Sequence, residues 1–313
     1  MATMGSGTMT YEVVEGWAQL PEGWSFKECA GVAVDSKDRV YVFNRGEHPL
    51  MVFHPDGTLE SSWGEGVFYN PHGICIGPDG SVYCVDNGDH TVRKFTAQGE
   101  LLMTLGSAGS PSTRYSGQPF NSPTHLAVSH KTGELFISDG YGNARVHRYS
   151  AEGEYIDAWG ASGIDEGHFV IPHNITVDGD DNIYVADREC HRVQIFDAKG
   201  NFQGMWNNIW KACGITVGGD GNIYVAELIG DEYYTDAPDV GHRVSIYSSG
   251  GKLLTRLGDS LPGEGLCQFI APHGIAVDSR GDIYVSEVSW TMMGRNLDSP
   301  REMRSLQKLA RCG

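Results

Sequence analysis

One phrase recurs along this chain and limits its fold more than any other feature. It is an apolar strand, a tight turn built on Asp-Gly or a similar pair, and a second apolar strand. Six copies are present: GVAVDSKDRVYVFN from Gly31, HGICIGPDGSVYCVD from His72, THLAVSHKTGELFISD from Thr124, HNITVDGDDNIYVAD from His173, CGITVGGDGNIYVAE from Cys213 and HGIAVDSRGDIYVSE from His273. They lie about 40 to 60 residues apart, and most are followed by a third strand beginning RV and by a fourth ending in Trp-Gly or Leu-Gly, as at Trp63, Leu105 and Trp159. Four antiparallel strands per unit at this period specify the blades of a β-propeller. The predicted fold class is therefore all-β, a six-bladed propeller. The 42 glycines supply its turns, and an apolar content of 40% is enough for a large core.

The sixth copy lacks a clear fourth strand and ends in MRSLQKLARCG, while residues 11–20 form a spare strand-like segment. That segment is expected to close the ring as the outer strand of blade six, which removes an exposed sheet edge. The predicted organisation is a flexible start over residues 1–10 and one propeller domain over residues 11–313.

Charge excludes several functions. With 23 basic against 40 acidic residues the net charge is −17, so most of the surface repels phosphate, and neither nucleic acid nor an anionic membrane is an expected partner. No apolar run reaches the roughly 18 residues of a membrane span, and MATMGSGTMT has neither the basic nor the apolar region of a signal peptide. Seven cysteines, at 29, 75, 84, 190, 213, 267 and 312, form no CxxC pair. These features give the expectation of a reduced, cytoplasmic protein. A closed propeller needs no partner to bury an edge, so a monomer acting on a small molecule is expected.

Propeller topology sends the starts of first strands, the loops after second strands and the inter-blade connectors to one mouth. The long insertions at residues 107–122, 228–241 and 288–300 belong to that face, which marks it as the working side. At the first-strand start the six copies read Ala30, His72, Thr124, His173, Cys213 and His273. A lone histidine in a Pro-His-Gly-Ile segment is ordinarily a packed, hydrogen-bonded residue. Three in the same phase in alternate blades instead supply a facial set of three imidazoles, with positions left open for water or substrate. The predicted cofactor is one divalent transition metal, and spacing alone does not choose zinc over iron, manganese or nickel. Thr124 and Cys213 are candidate pocket or outer-shell neighbours. The insertion at 228–241, with Tyr233 and Tyr234 among four acids, reads equally as a lid or as a solvated loop. Asp86, Asp139, Asp187, Glu227 and Glu287, which close successive second strands, read as architectural.

Several segments resemble a known family. FNRGEH at residues 43–48, FYNPHGI at 68–74, SDGYGNARV at 138–146, IPHNI at 171–175 and VADRECHRVQ at 185–194 are similar to NHL-repeat propellers. Within that group they are similar to the catalytic core of peptidyl-α-hydroxyglycine α-amidating lyase. The resemblance implies zinc on His72, His173 and His273, catalysis by Arg45 and Tyr141, and a structural calcium on the backbone carbonyls of Val32 and Ile74. It departs at Gly274, where the family has the aspartate that completes the calcium site, so calcium is doubtful here. Ala271 and Gly142 also replace a family methionine and cysteine.

The leading expectation is a metal-dependent lyase that cleaves C–N in a carbinolamide or related small α-hydroxy substrate through a metal alkoxide. In it Tyr141 handles the proton, and Arg45 either favours the phenolate or binds a substrate carboxylate. The same residues would serve a hydrolase of lactones, esters or amides. A non-catalytic NHL interaction scaffold is the alternative of a different class.

Overall fold

Each of the six copies folds into its own antiparallel sheet, in chain order except at the closure. The computed structural model describes residues 2–230 and 240–313. The architecture is a six-bladed β-propeller, and its residues form two compact units, 66–215 on one hand and 1–65 with 216–313 on the other.

In the unit 66–215, blade two is built from Pro71–Ile76, Val82–Asp86, Thr91–Phe95 and Leu101–Leu105. Blade three comprises His125–Val128, Leu135–Asp139, Arg145–Tyr149 and Tyr155–Trp159, and blade four Pro172–Val177, Ile183–Asp187, Arg192–Phe196 and Phe202–Trp206. Second strands are buried on both faces and read as continuous apolar runs, whereas outer strands carry exposed residues. Phe136, Phe169 and Phe196 fill the space between blades three and four with Ile175, Val177 and Val185. Removing such rings from water is the main favourable term in the packing.

In the other unit, blade one runs through Cys29–Val34, Val40–Asn44, Leu50–Phe53 and Leu59–Trp63. Blade six contains five strands rather than four: Pro272–Val277, Ile283–Glu287, Leu306–Arg311, then Met9–Val14 and Thr3–Ser6 from the start of the chain. Residues 306–311 are the third strand, with Leu309 fully buried opposite Ile283. Two expectations are corrected here. The closing strand is Met9–Val14, earlier than the expected 11–20, and the supposedly flexible opening residues pair with it as a further strand. Met4, Met9 and Tyr11 are the reason, since they bury into a cluster with Tyr224, Leu257 and Leu309.

Tyr11 is wholly buried in that cluster. Tyr11→Ala is expected to lower the unfolding free energy by about 3 kcal/mol through the cavity it leaves, as read by urea denaturation. A loss within error of zero would show that the closure contributes little.

Candidate active site

The first strands of blades two, four and six all begin Pro-His. A carboxylate at the end of the neighbouring second strand fixes that entry. Pro71 pairs with Asp86, Pro172 with Asp187 and Pro272 with Glu287. Proline has no N–H to extend the ladder, and the carboxylates instead accept from the two peptide groups before it. Asp86 takes the N–H of Tyr69 and Asn70, Asp187 those of Val170 and Ile171, and Glu287 those of Ile270 and Ala271. Burial pushes the Asp187 and Glu287 carboxyls up, against these amides and the cations near them. The register then slips by one residue between Pro71 and Gly73, between Pro172 and Asn174 and between Pro272 and Gly274. Each histidine is thus the extra residue of a β-bulge, a device that re-aims a side chain out of the ladder.

Within the unit 66–215, His72 and His173 converge on one phenol. Tyr141, which follows the second strand of blade three, places its hydroxyl 3.0 Å from His72 Nε2 and 2.9 Å from His173 Nε2. The other ring nitrogens are held from behind. His72 Nδ1 donates to the Thr124 carbonyl and His173 Nδ1 to the Cys213 carbonyl, each at 2.7 Å. That bond keeps the proton on Nδ1 and turns the Nε2 lone pair forward, as metal-ligating histidines are held in general. Two forward lone pairs therefore face one hydroxyl, which has a single proton to give. A cation shared by the two nitrogens suits that donor set, and neutral nitrogen donors suit a borderline transition metal. Thr124 and Cys213 supply backbone support to the imidazoles. Burial pushes the Cys213 thiol up to about 11, so it is not a thiolate at neutral pH.

Arg188 is a residue that the sequence reading did not single out. Its guanidinium lies 3.4 Å from the Tyr141 hydroxyl and 5.5 Å from the ring centroid. Burial opposes its charge, yet Tyr141, Cys213 and Glu189 hold it well above the usual guanidinium value. Glu189 accepts from Arg188 Nε at 2.8 Å and pairs with the buried Lys211 at 3.3 Å. The signal was present in the sequence: Arg188 directly follows the end of a second strand, as Arg45 does.

In the other unit, His273 repeats the same arrangement, with Nδ1 donating to the Ala30 carbonyl at 2.6 Å. Arg45 forms a 2.7 Å ion pair with the buried Glu28, whose carboxylate also accepts from the backbone N–H and hydroxyl of Thr291 in the 288–300 insertion. Gly274 packs closely: a Cβ there would lie 2.6 Å from Ser286 Oγ and 3.2 Å from Gly31 Cα. The calcium carbonyls suggested by resemblance, Val32 and Ile74, belong to inner strands of blades one and two and have no carboxylate at position 274 to complete a site. Tyr233 and Tyr234 lie outside the described residues.

The NHL repeat pattern matches residues 68–95 and 169–196, the segments that carry His72 and His173. The chain carries NHL repeats. This NHL-repeat chain is 30% identical over 314 residues to peptidyl-glycine alpha-amidating monooxygenase B of Xenopus laevis, covering 90% of the chain and 35% of that protein. It is 32% identical over 269 residues to peptidyl-alpha-hydroxyglycine alpha-amidating lyase 1 of Drosophila melanogaster, covering 78% of the chain and 47% of that protein. The chain thus spans well under two thirds of the length of these curated relatives. Among solved structures, one titled streptogramin B lyase superposes with a TM-score of 0.62 at 11% identity, covering 98% of this chain and 97% of that one, which is a likeness of fold. No helix among the described residues is long and apolar enough to cross a membrane.

Two predictions test this geometry. Long-range ¹⁵N–¹H correlation spectra of the metal-free protein should place the neutral-imidazole proton of His72 and His173 on Nδ1; protons on Nε2 would contradict the forward lone pairs. Asp187 also bonds the buried Arg192 at 2.9 Å, and Asp187→Ala should cost about 3 to 5 kcal/mol of stability by leaving two amides unpartnered and that charge without a counter-ion, held only by the carbonyls of Ile164, Asp165 and His168. A cost below about 1 kcal/mol in urea denaturation would show that the clamp is dispensable.

Proposed function

We propose that this protein is a metal-dependent lyase of the amidating-lyase type, acting on a small α-hydroxy substrate in which the carbinol carbon bears an amide nitrogen. The observation that carries this reading is the Tyr141 hydroxyl, held between two forward-facing imidazole nitrogens with Arg188 beside it. Sequence similarity to a protein named as an alpha-amidating lyase and to one named as an alpha-amidating monooxygenase supports it. The three buried histidines His72, His173 and His273 are a group that could hold a metal ion, and we assign it one divalent cation, zinc in the first instance.

A cation bound there supplies Lewis-acid polarisation of the substrate hydroxyl. The chain's own residues do the rest. The guanidinium of Arg188 favours the phenolate of Tyr141, which lets Tyr141 accept the hydroxyl proton. As the C–O bond becomes a carbonyl, the C–N pair passes to nitrogen, and Tyr141 returns the same proton to it. The products are an amide and a carbonyl compound, and no water is consumed. Arg45, anchored by Glu28, is assigned to an anionic group of the substrate, for which a guanidinium offers two parallel donors. Delivering water to an ester or lactone from the same residues would make a hydrolase, and product analysis separates the two.

Metal analysis of the protein purified without a histidine tag should give about one divalent transition metal per chain, lost in His173→Ala. Tyr141→Phe should retain the metal and lose about 10²- to 10⁴-fold in kcat on a carbinolamide. Metal lost equally from Tyr141→Phe would make the tyrosine structural. Absence of metal from the wild type, with none taken up on incubation, would favour the binding scaffold.

A further inference from the structure

Tyr141 lies in the segment Gly140-Tyr141-Gly142-Asn143, which joins the second and third strands of blade three. Neither glycine is in the left-handed region, so both are there for room. At Gly140 a Cβ would lie 2.5 Å from the carbonyl oxygen of Pro172, the residue before His173. At Gly142 it would lie 2.7 Å from the carbonyl oxygen of Asn121. Tyr141 is therefore wedged between the first-strand entry of blade four and the 107–122 insertion.

That insertion is built to stay in place. Its Phe120 is buried in one apolar cluster with Val92 and Tyr149 of blades two and three. Ser112 closes it on itself, donating its N–H to the Phe120 carbonyl at 2.9 Å and accepting at its own carbonyl from Asn121 Nδ2 at 2.6 Å. From this base it holds the tyrosine segment. The N–H of Tyr115 donates to the Gly142 carbonyl at 2.8 Å, with Tyr115 itself at a φ of 56°, a left-handed conformation that a bulky residue keeps only where its surroundings impose it. The N–H of Gly117 donates to Asn143 Oδ1 at 2.9 Å, and Asn143 Nδ2 donates to the Gln118 carbonyl at 2.7 Å and to Asp139 at 2.9 Å. Asp139 also accepts the N–H of Asn121. The buried amide of Asn143 thus uses both its donors and its acceptor to join the insertion to the end of the second strand. Arg114, exposed, adds a bond to the Tyr141 carbonyl at 3.3 Å.

We propose that Asn143 is a positioning residue for Tyr141, and that the 107–122 insertion is a fixed brace which, through Asn143, keeps the phenol within hydrogen-bonding distance of His72 and His173. The effect on rate rests on the lyase reading, whereas the effect on the tyrosine ring rests on the geometry alone.

Asn143→Ala removes the side-chain bonds of the brace and leaves Tyr141 and the histidines intact. On a carbinolamide it should lower kcat about 10- to 100-fold, with KM within about twofold and metal content unchanged, and it should add nothing further in a Tyr141→Phe background. A kcat within about twofold of wild type, or the same loss repeated in the Tyr141→Phe background, would overturn the proposal. The second readout needs no turnover. In ¹⁹F spectra of the protein labelled with 3-fluorotyrosine, the Tyr141 line, identified by its absence from Tyr141→Phe, should shift or broaden in Asn143→Ala; an unmoved line would overturn the brace. Should wild type show no turnover, or Tyr141→Phe turn over as wild type does, the lyase reading fails and the spectrum alone decides. Should Asn143→Ala fail to fold, Asn121→Ala takes its place, since it keeps its backbone bonds to Asp139 and loses the bond to Ser112. The same line should move in it, and an unmoved line would overturn the proposal.

Discussion

A buried carboxylate facing a proline is the interaction on which the site depends. At the mouths of blades two, four and six the ladder would fail where proline has no N–H, and Asp86, Asp187 and Glu287 accept instead from the two amides before it. Keeping an acid in the interior is costly unless its oxygens are fully used, and here the bonds are spent on fixing the residue that precedes each histidine. The bulge that follows then aims the imidazole. Asp139 does related work in blade three, where it accepts from Asn121 and Asn143. The architectural acids and the functional histidines are therefore parts of one local device, repeated with the blades.

The same repetition explains the second layer. Each histidine rests its Nδ1 on the carbonyl at the equivalent position of the next repeat: Thr124 behind His72, Cys213 behind His173, Ala30 behind His273. A backbone carbonyl can do this whatever its side chain, which frees Thr, Cys and Ala to differ. Specific chemistry is then added by residues that follow second strands. Tyr141 and Arg188 meet in the unit 66–215, and Arg45 is braced by Glu28 in the other.

Much of this was legible in the sequence because repeats make phase visible. The six strand-turn-strand phrases set the blades, and the alternation of histidine with Ala30, Thr124 and Cys213 singled out the three candidate ligands without coordinates. What stayed hidden has physical reasons. The closing strand slid from 11–20 to Met9–Val14 because Met4, Met9 and Tyr11 bury across the sheet, a tertiary effect with no local signature. The bulges were invisible because a one-residue slip leaves no trace in composition. Arg188 was passed over inside a segment read only for its resemblance, although its position after a second strand matched that of Arg45.

The central claim is that the three histidines bind one metal through Nε2, with Cys213 outside the ligand set. X-ray absorption at the metal edge of the zinc-loaded protein tests it most directly. The account predicts three imidazole nitrogens at about 2.0–2.1 Å, with the remaining position filled by oxygen. A sulfur scatterer at about 2.3 Å, or fewer than three imidazoles, would contradict it.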